Sequence, residues 1–405
     1  MADHRALVIA EPGVIALEDV PPLVPGPGEV VARPAYVGVC GTDLELLDGV
    51  VDPAYVRYPL VPGHEWSGVI EAVGPGVTGL EPGQPVIAEG IIPDRVCAQC
   101  VQGHTNLCEV YDELGFTRAG AAADQVLVPA QVVHVLGAEV SLLEAALAEP
   151  AAVAWRAIGR GRPRPGERVA VVGDGTLALI AAHLLTLYSP AELVVCGQRP
   201  AQANLATELG ATAFELDLAD DPHPRISPAT PSFPATPSSP ATSFSSATPF
   251  SSATSSSPAT SFSSAISSSP ATSSSPAIPS SWATPSSPGR FDLVVEAAGT
   301  AGAVERAFGL ARRGGRVVLI GLAGNDVKAA FPIDDVVNND LLISASFGYT
   351  SAAWAEVTAL LRAGQISLTP LITHRFPLDE YERAYQVLRE SFGPRGKVML
   401  DVSPR

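Results

Sequence analysis

A strand, a glycine turn and an apolar helix follow one another between Arg168 and Leu187, and this order constrains the fold more than any other feature. Residues 168–172 have the composition of a buried strand, and Gly173 and Gly175 separate them from the helix. Further strand-like runs of this kind lie at residues 192–196, 291–295 and 315–321. Because strands that alternate with crossover helices form parallel sheets, the sequence predicts a doubly wound α/β sheet in this part of the chain.

Short β-rich runs broken by proline and glycine fill the chain from Arg5 to about Ala130. Residues 25–31 and 68–74 are typical of these runs. Such runs predict an antiparallel, barrel-like domain ahead of the parallel sheet. A length of 405 residues, 46% of them hydrophobic, is enough for two cores.

Residues 222–288 differ from the rest of the chain, because they consist almost only of Ser, Pro, Ala and Thr with a few Phe. A proline every few residues removes backbone donors and blocks both helix and sheet. Such a segment buries too little apolar surface to offset its conformational entropy. We therefore predict a disordered insert in a surface loop, with an interaction or glycosylated tether as the alternative.

The charge balance excludes several classes of function. With 25 basic and 42 acidic residues the net charge is −17, which repels nucleic acids and anionic membranes. The longest apolar run, from Leu177 to Tyr188, contains His183 and is too short to cross a bilayer. No export signal follows Met1, and the five cysteines do not suggest a disulfide framework. We expect a cytoplasmic protein with neither a nucleic-acid nor a membrane partner.

The motifs Cys-Gly-Thr-Asp, Gly-His-Glu and Glu-Pro contain the ligand types of a catalytic zinc. Such a zinc takes about three protein ligands and keeps a further position open. Cys40, His64 and either Glu65 or Glu149 meet that requirement. Each residue alone has a structural explanation, but the combination favours a metal site with the choice of carboxylate left open.

The glycine turn after the first parallel strand has the form of a dinucleotide fingerprint, because a strand precedes it and a helix follows. Its residues are Gly173, Asp174, Gly175, Thr176 and Leu177, with Ala178 in the third small position. Glycines allow backbone amides to approach a pyrophosphate, which the N-terminus of the helix then stabilises. The sequence therefore predicts a Rossmann domain.

The end of the next strand indicates which dinucleotide binds. An NAD enzyme places Asp or Glu there for the ribose 2′-hydroxyl, whereas this chain has Gly197. The nearby Arg199 is suited to a 2′-phosphate, so NADP(H) is favoured over NAD(H). The alternative is a solvated Arg199, or one that stacks on the adenine of NAD.

Together these motifs resemble the zinc-containing medium-chain alcohol and polyol dehydrogenase family. The likeness is carried by Cys40, His64 and Glu149 with their neighbours, and it extends to Lys397 near the C-terminus. Glu149 before proline resembles the sorbitol and threonine dehydrogenase branch. The resemblance implies a GroES-like antiparallel β-barrel catalytic domain at residues 1–153, a Rossmann domain at 154–347 and a C-terminal return to the catalytic domain at 348–405.

The resemblance also implies the reaction, a hydride transfer between a secondary alcohol or polyol and NAD(P). Zinc would lower the pKa of the substrate hydroxyl. Thr42 corresponds to the hydroxyl that takes the alcohol proton onward. Glu45 stands where the family usually has a histidine, and its reference pKa is near 4.3 against about 6.5 for histidine. A homodimer or homotetramer is expected.

A second, structural zinc is implied by a cysteine-rich lobe. Cys97, Cys100 and Cys108 are spaced like metal ligands, and Asp94 takes the place of the family's first cysteine. Zinc accepts aspartate oxygen, so an Asp/Cys3 site is chemically reasonable. His104 aligns in a loop, and a metal-free lobe is the alternative.

The resemblance places further residues around the dinucleotide. Ala298 and Gly321 lie at strand ends that face the adenosine and nicotinamide halves. Phe347 corresponds to a segment beside the nicotinamide, and Lys397 to a basic residue near the pyrophosphate.

Two other functions stay open at this point. One is a zinc-free quinone or enone reductase of the same superfamily, which has no need of the zinc ligands. The other is a catalytically silent NADPH-binding or sensor protein that kept the fold.

Overall fold

The computed structural model describes residues 4–216, 290–324, 327–390 and 393–402. The predicted insert at residues 222–288 lies outside the described residues. In the part of the chain that is described, no helix is both long and apolar enough to span a membrane.

The strands, numbered in chain order, are β1 (His4–Glu11), β2 (Val14–Val20), β3 (Glu29–Val39), β4 (Glu65–Val73), β5 (Pro85–Ala88), β6 (Val126–Pro129), β7 (Val133–Val135), β8 (Arg168–Val172), β9 (Glu192–Gly197), β10 (Ala213–Leu216), β11 (Phe291–Glu296), β12 (Ala311–Leu319), β13 (Leu342–Ala345), β14 (Ile372–Pro377) and β15 (Lys397–Asp401). The α-helices are α1 (Gly41–Asp48), α2 (Ala98–Val101), α3 (Leu142–Ala145), α4 (Ala148–Gly161), α5 (Thr176–Leu185), α6 (Ala203–Glu208), α7 (Ala301–Leu310), α8 (Ile333–Asn338), α9 (Ser351–Arg362) and α10 (Tyr381–Arg389).

Strands β1 and β2 form a two-stranded sheet of their own. The first large sheet contains β3 to β7 and two strands from the C-terminal part. Its order is β14-β15-β3-β4-β5-β7, and β6 also pairs with β3. Its pairs are antiparallel as predicted, except that β14 and β15 run parallel. Val398 of β15 lies opposite Val39 of β3. The C-terminus therefore returns to the strand that leads into Cys40.

The second sheet has the order β10-β9-β8-β11-β12-β13, and all of its pairs are parallel. This is the 3-2-1-4-5-6 order of a doubly wound dinucleotide-binding sheet, so the predicted Rossmann architecture is confirmed. The predicted strand at residues 315–321 begins earlier, because β12 starts at Ala311. The predicted boundaries between domains, after residues 153 and 347, stay a prediction.

Both faces of the parallel sheet are covered, which explains why its strands are almost wholly apolar. Val169 and Val171 pack on one face against α4 and α5. Ala170 and Val172 pack on the other face against α7. The strand order reverses between β8 and β11, so the crevice at their carboxyl ends is the expected place for a ligand.

One contact ties the segment after β13 to the first sheet. The Tyr349 hydroxyl, which is buried, accepts hydrogen bonds from the backbone N–H groups of Gly90 (2.7 Å) and Ile91 (2.9 Å). A Cβ atom at Gly90 would lie 3.1 Å from that hydroxyl and 3.5 Å from the Cβ of His64. The end of the parallel sheet thus reaches the immediate surroundings of His64.

Candidate active site and metal centres

Cys40 and His64 meet because they lie at the ends of neighbouring strands. Cys40 follows β3 and is the N-cap residue of α1, while His64 precedes β4, which pairs with β3. The Cys40 Sγ atom lies 3.3 Å from His64 Nε2. His64 is only 6% exposed and Cys40 is half-buried, so both potential ligands are largely shielded from solvent.

Asp43 lies next to both Cys40 and His64, on the side of the imidazole that faces away from Cys40. Its Oδ2 atom accepts the Cys40 backbone N–H at 2.9 Å, which fixes the start of α1. Its Oδ1 atom lies 3.9 Å from His64 Nδ1, and neither of these buried atoms has a hydrogen bond. A carboxylate on that side favours a tautomer that leaves Nε2 available to a metal. Sequence reasoning missed this role, although an acid three residues after an N-cap is a capping-box signal.

Charge around His64 changes its ionisation. Burial disfavours the charged imidazole, but Cys40, Asp43 and Glu149 outweigh it and hold the pKa of His64 well above the ordinary value. A divalent cation would replace the proton in the same electrostatic environment.

Glu65 completes a potential metal-binding group, but a lysine neutralises it. One ligand atom each from Cys40, His64 and Glu65 lie within 4.8 Å of one another. The Glu65 carboxylate, however, forms a buried ion pair with Lys397 Nζ at 2.5 Å. Burial alone would lower the pKa of Lys397, yet Glu65 and Cys40 raise it above its ordinary value.

A location of Lys397 near the pyrophosphate stays a prediction. The structure pairs its ammonium group with Glu65 and leaves it only 2% exposed. The physical reason is the pairing of β15 with β3, which places Lys397 next to the strand that leads into Cys40.

Glu149 is the second candidate carboxylate, and unlike Glu65 it is not paired with a cation among the described residues. It lies in the first turn of α4, and no hydrogen bond or ion pair to it is found within the described ranges. Burial raises its pKa to about 8, and its charge contributes to the raised pKa of His64. Its oxygens fall outside the 4.8 Å group formed with Glu65. A half-buried carboxylate without a partner, near enough to His64 to raise its pKa, suits a metal ligand.

Thr42 and Glu45 occupy one side of α1. Thr42 is half-buried in the first turn, next to Cys40, and Glu45 is exposed one turn later. Residues three apart on a helix are neighbours, so the two side chains can contact each other. Although Glu45 is exposed as a residue, partial burial of its carboxyl group raises its pKa.

The predicted ligands of the second metal centre are brought together. One ligand atom each from Asp94, Cys97, Cys100 and Cys108 lie within 4.8 Å of one another. The Cys108 Sγ atom accepts the Asp94 backbone N–H at 3.3 Å. His104 is not a member of this group, and its Nδ1 atom lies 3.3 Å from Gln99 Oε1.

The protonation of this second cluster depends on its backbone. Backbone N–H groups of Cys97 and Val96 lower the pKa of Asp94, and those of Glu109 and Cys100 lower that of Cys97. Burial instead raises the pKa of Cys100 to about 12. A cation would deprotonate this thiol, because thiolate is the form that binds metals.

The glycine turn after β8 has the shape that a dinucleotide needs. Gly173 has φ +122°, and a Cβ atom there would lie 3.0 Å from the backbone nitrogen of Ala298. A Cβ atom at Gly175 would meet open space. Helix α5 starts at Thr176 without a side-chain cap, so its first N–H groups are free for a pyrophosphate. Thr176 Oγ1 itself donates to the Gly396 carbonyl at 2.7 Å.

The other predicted cofactor residues follow the neighbouring strands. Gly321 packs so closely that a Cβ atom there would lie 2.2 Å from the nitrogen of Gly299. The buried Glu296 carboxylate accepts the N–H groups of Ala298 (2.8 Å) and Gly299 (2.7 Å), which fixes this turn. Phe347 is 54% exposed after β13, and Leu177 is half-buried in α5.

Arg199 is tied to the glycine turn. Its guanidinium forms an ion pair with Asp174, with Nη2 to Oδ1 at 2.8 Å and Nε to Oδ1 at 3.1 Å. Gly197, at the end of β9, lies against the same aspartate. The structure thus brings Asp174, Gly197 and Arg199 together at the carboxyl edge of the sheet.

If both clusters bind zinc, the purified protein should contain about two zinc ions per chain. Cys40→Ala and Cys97→Ala should each remove about one of them, because each cluster loses a thiolate ligand. Elemental analysis of the folded variants measures this. A wild-type content near one, insensitive to Cys97→Ala, would contradict the second centre.

Zinc affinity of the first cluster should rise with pH up to about 8. Below that pH Glu149 carries a proton that must leave before the carboxylate can bind a cation. Glu149→Gln should lower the number of protons displaced per zinc by about one, measured by chelator competition between pH 6 and 9. The control is Glu139→Gln, which changes an exposed acid; equal slopes in both variants would refute the role of Glu149.

Comparison with known proteins agrees with this geometry. Residues 26–138 match the family described as Alcohol dehydrogenase GroES-like domain, and residues 270–363 match Zinc-binding dehydrogenase. Sorbitol dehydrogenase of Gallus gallus is 27% identical, over 99% of this chain and 97% of that protein. L-threonine 3-dehydrogenase of Bacillus subtilis is 25% identical, over 92% of this chain and 90% of that protein.

Solved structures share the whole fold. A protein from Sinorhizobium meliloti, assigned as a zinc-binding dehydrogenase and solved with NADP, superposes with a TM-score of 0.79 at 23% identity and covers 99% of this chain and all of that one. The cobalt- and zinc-bound alcohol dehydrogenase of Pyrobaculum aerophilum gives a TM-score of 0.74 at 26% identity, with coverage of 99% and 100%. The chain belongs to the zinc-containing medium-chain alcohol and polyol dehydrogenase family.

Proposed function

We propose that this protein is a zinc-dependent oxidoreductase that transfers a hydride between a secondary alcohol or polyol and a nicotinamide dinucleotide. One observation carries the proposal. Cys40, His64 and the unengaged carboxylate of Glu149 share a buried site that the segment after β13 reaches through Tyr349. A metal-binding site is thereby combined with the carboxyl edge of a dinucleotide-binding sheet.

Cys40, His64 and Glu149 would hold the catalytic zinc. Glu65 is the weaker candidate, because Lys397 already neutralises its carboxylate. Zinc bound by these residues would polarise the substrate hydroxyl and lower its pKa. Asp43 keeps the imidazole of His64 oriented, and a half-buried Thr42 next to Cys40 can accept the hydroxyl proton and donate its own.

Glu45 is the proposed exit for that proton. In the oxidation direction the substrate loses a hydride from carbon to the nicotinamide ring and a proton from oxygen to solvent. Thr42 is half-buried and Glu45 is exposed, so the pair leads from the site to the surface. The raised pKa of Glu45 makes this carboxyl a better proton carrier near neutral pH than an ordinary glutamate.

The second cluster is proposed to hold a structural zinc that supports the nicotinamide side. Residues of the same lobe bind the segment after β13: Asn106 Nδ2 donates to the Phe347 carbonyl at 2.8 Å, and Thr105 Oγ1 accepts the Ser351 N–H at 2.8 Å. An ordered lobe would thus fix the position of Phe347.

The cofactor is proposed to be NADP(H) in preference to NAD(H). Gly197 supplies no carboxylate for a ribose 2′-hydroxyl, and Arg199 offers a positive charge at the end of the same strand. A homodimer or homotetramer and a cytoplasmic location stay predictions.

The substrate class rests on the relatives. Their names include sorbitol, threonine and xylulose, and those substrates or products contain a secondary hydroxyl or the matching ketone. We therefore propose a secondary alcohol or polyol for this chain.

The two rival functions are less favoured. A zinc-free quinone or enone reductase has no use for a buried Cys40, His64 and Glu149 at one place. A silent NADPH-binding protein would not need the side chains that link this place to solvent, Thr42 and Glu45.

A substrate screen tests the proposed function directly. With NADP or NAD, the protein should oxidise members of a panel of polyols and secondary alcohols, and a zinc chelator should abolish the activity, because the metal polarises the substrate. Nicotinamide absorbance measures turnover. Chelator-resistant reduction of quinones would support the reductase instead, and cofactor binding without any turnover would support the silent protein.

Arg199→Ala should raise the KM for NADPH far more than the KM for NADH, because only NADPH has the 2′-phosphate. Steady-state kinetics with each cofactor checks this. Arg168→Ala is the matched control, since Arg168 is an exposed arginine at the amino end of β8, opposite the glycine turn. Equal effects of Arg199→Ala on both cofactors would overturn the assignment of Arg199.

A further inference from the structure

Asp174 occupies the space in which the ribose-binding acid of an NAD enzyme would begin. A Cβ atom at Gly197 would lie 2.5 Å from the Cβ of Asp174 and 2.7 Å from its Oδ2. No side chain at position 197 fits unless Asp174 moves. Asp174 of the glycine turn therefore occupies the place that the side chain of an Asp or Glu at position 197 would fill.

The carboxylate of Asp174 has no acceptor position to spare for a ribose hydroxyl. Its Oδ2 atom accepts the backbone N–H groups of Gln198 (2.9 Å) and Arg199 (2.8 Å). Its Oδ1 atom accepts Nε and Nη2 of Arg199. A carboxylate offers about four lone-pair positions, and these four donors use them.

The same contacts occupy most of the Arg199 guanidinium. Nη2 also donates to the Asp174 carbonyl at 2.7 Å, so the Nε–Nη2 edge faces the glycine turn. Only Nη1 lacks a partner among the residues that the structure describes. A phosphate approaching Arg199 would therefore contact Nη1 alone. It could not form the stronger bidentate pair with the Nε–Nη2 edge of the guanidinium.

The negative charge of Asp174 also affects how a phosphate would bind next to Arg199. Its side chain is 12% exposed and that of Arg199 is 20% exposed, so solvent screens the pair only in part. The carboxylate both neutralises the guanidinium and repels a dianionic phosphate beside it.

A second arginine stands next to this pair. Gln202, which is fully buried, donates to the carbonyls of Asp174 (2.6 Å) and Arg395 (2.8 Å) and accepts the Arg395 N–H at 2.9 Å. Burial and the charge of Arg199 lower the pKa of Arg395. Two cations and one anion thus surround the expected ribose position, and Asp174 decides how much positive charge a phosphate meets.

We propose that Asp174 is the residue that limits cofactor selection: by binding Arg199 it weakens the attraction for a 2′-phosphate and reduces the preference for NADP(H) over NAD(H). The inference rests on the proposed function, since it assumes that a nicotinamide dinucleotide binds at the glycine turn. It assigns the extent of the preference to a residue that follows β8, the strand next to the one that ends before Arg199.

Asp174→Asn tests this in a binding experiment without substrate. The amide oxygen of asparagine can still accept the N–H groups of Gln198 and Arg199, while the negative charge is lost and the guanidinium is released. The Kd for NADPH should fall by about tenfold, and the Kd for NADH should stay within about twofold of wild type. Titration of nicotinamide fluorescence, or calorimetry, measures both constants.

Asp292→Asn is the matched control. Asp292 also accepts an arginine Nε (Arg312, 2.7 Å) and a backbone N–H (Arg168, 2.8 Å), but at the amino ends of the strands, away from the glycine turn. Both dissociation constants should be unchanged in this variant. The double variant Asp174→Asn with Arg199→Ala should lose the gain in NADPH affinity, because the gain comes from the released guanidinium.

Three results would overturn the inference. An unchanged or weaker affinity of Asp174→Asn for NADPH would show that the aspartate does not restrain Arg199, or that it positions Arg199 for the phosphate. A loss of NADH affinity alone would make Asp174 a ribose acceptor. Failure of the unaltered protein to bind either dinucleotide would overturn the proposed function as well, whereas the first two results would leave it intact.

Discussion

The concentration of buried charge around Cys40 is the constraint on which the rest of the site depends. Asp43 and Glu65 are each 2% exposed and Glu149 is half-buried beside them, while Lys397 is the buried cation that faces Glu65. Acidic groups removed from water are costly unless they are paired, protonated or bound to a cation. Burial raises the pKa of Glu149, so without a bound cation its carboxyl group is protonated near neutral pH. A divalent cation would balance the remaining charge.

The two sheets provide this site with its geometry. Pairing among β3, β4 and β15 brings together residues from both ends of the chain, and α4 adds Glu149 from the connection to the parallel sheet. The carboxyl edge of the parallel sheet adds the glycine turn and, through Tyr349, reaches the backbone of Gly90, which lies next to His64. Metal-binding residues and dinucleotide-binding residues therefore belong to different sheets that meet in one place.

The proposed cofactor recognition depends on a contact that no single motif contains. The dinucleotide fingerprint and the glycine at the end of β9 can each be recognised in the sequence. The ion pair between Asp174 and Arg199, however, joins the fingerprint after β8 to the end of the neighbouring strand β9. Gly197 has a steric role here, because it leaves room for Asp174. In the proposed binding mode, Asp174 and Arg199 jointly set the charge at the ribose position.

The order of the folded parts, the parallel sheet, the types of zinc ligand and the family could all be predicted from the sequence, because periodicity, glycine placement and ligand spacing are local properties of the chain. It also singled out the four residues of the second cluster, which lie within fifteen positions of one another. Only the tertiary structure decided that Lys397 binds Glu65, that Asp43 faces His64 and that Asp174 holds Arg199. Those outcomes depend on which strands pair and in what register, and residues tens to hundreds of positions apart carry no local signal of such a contact.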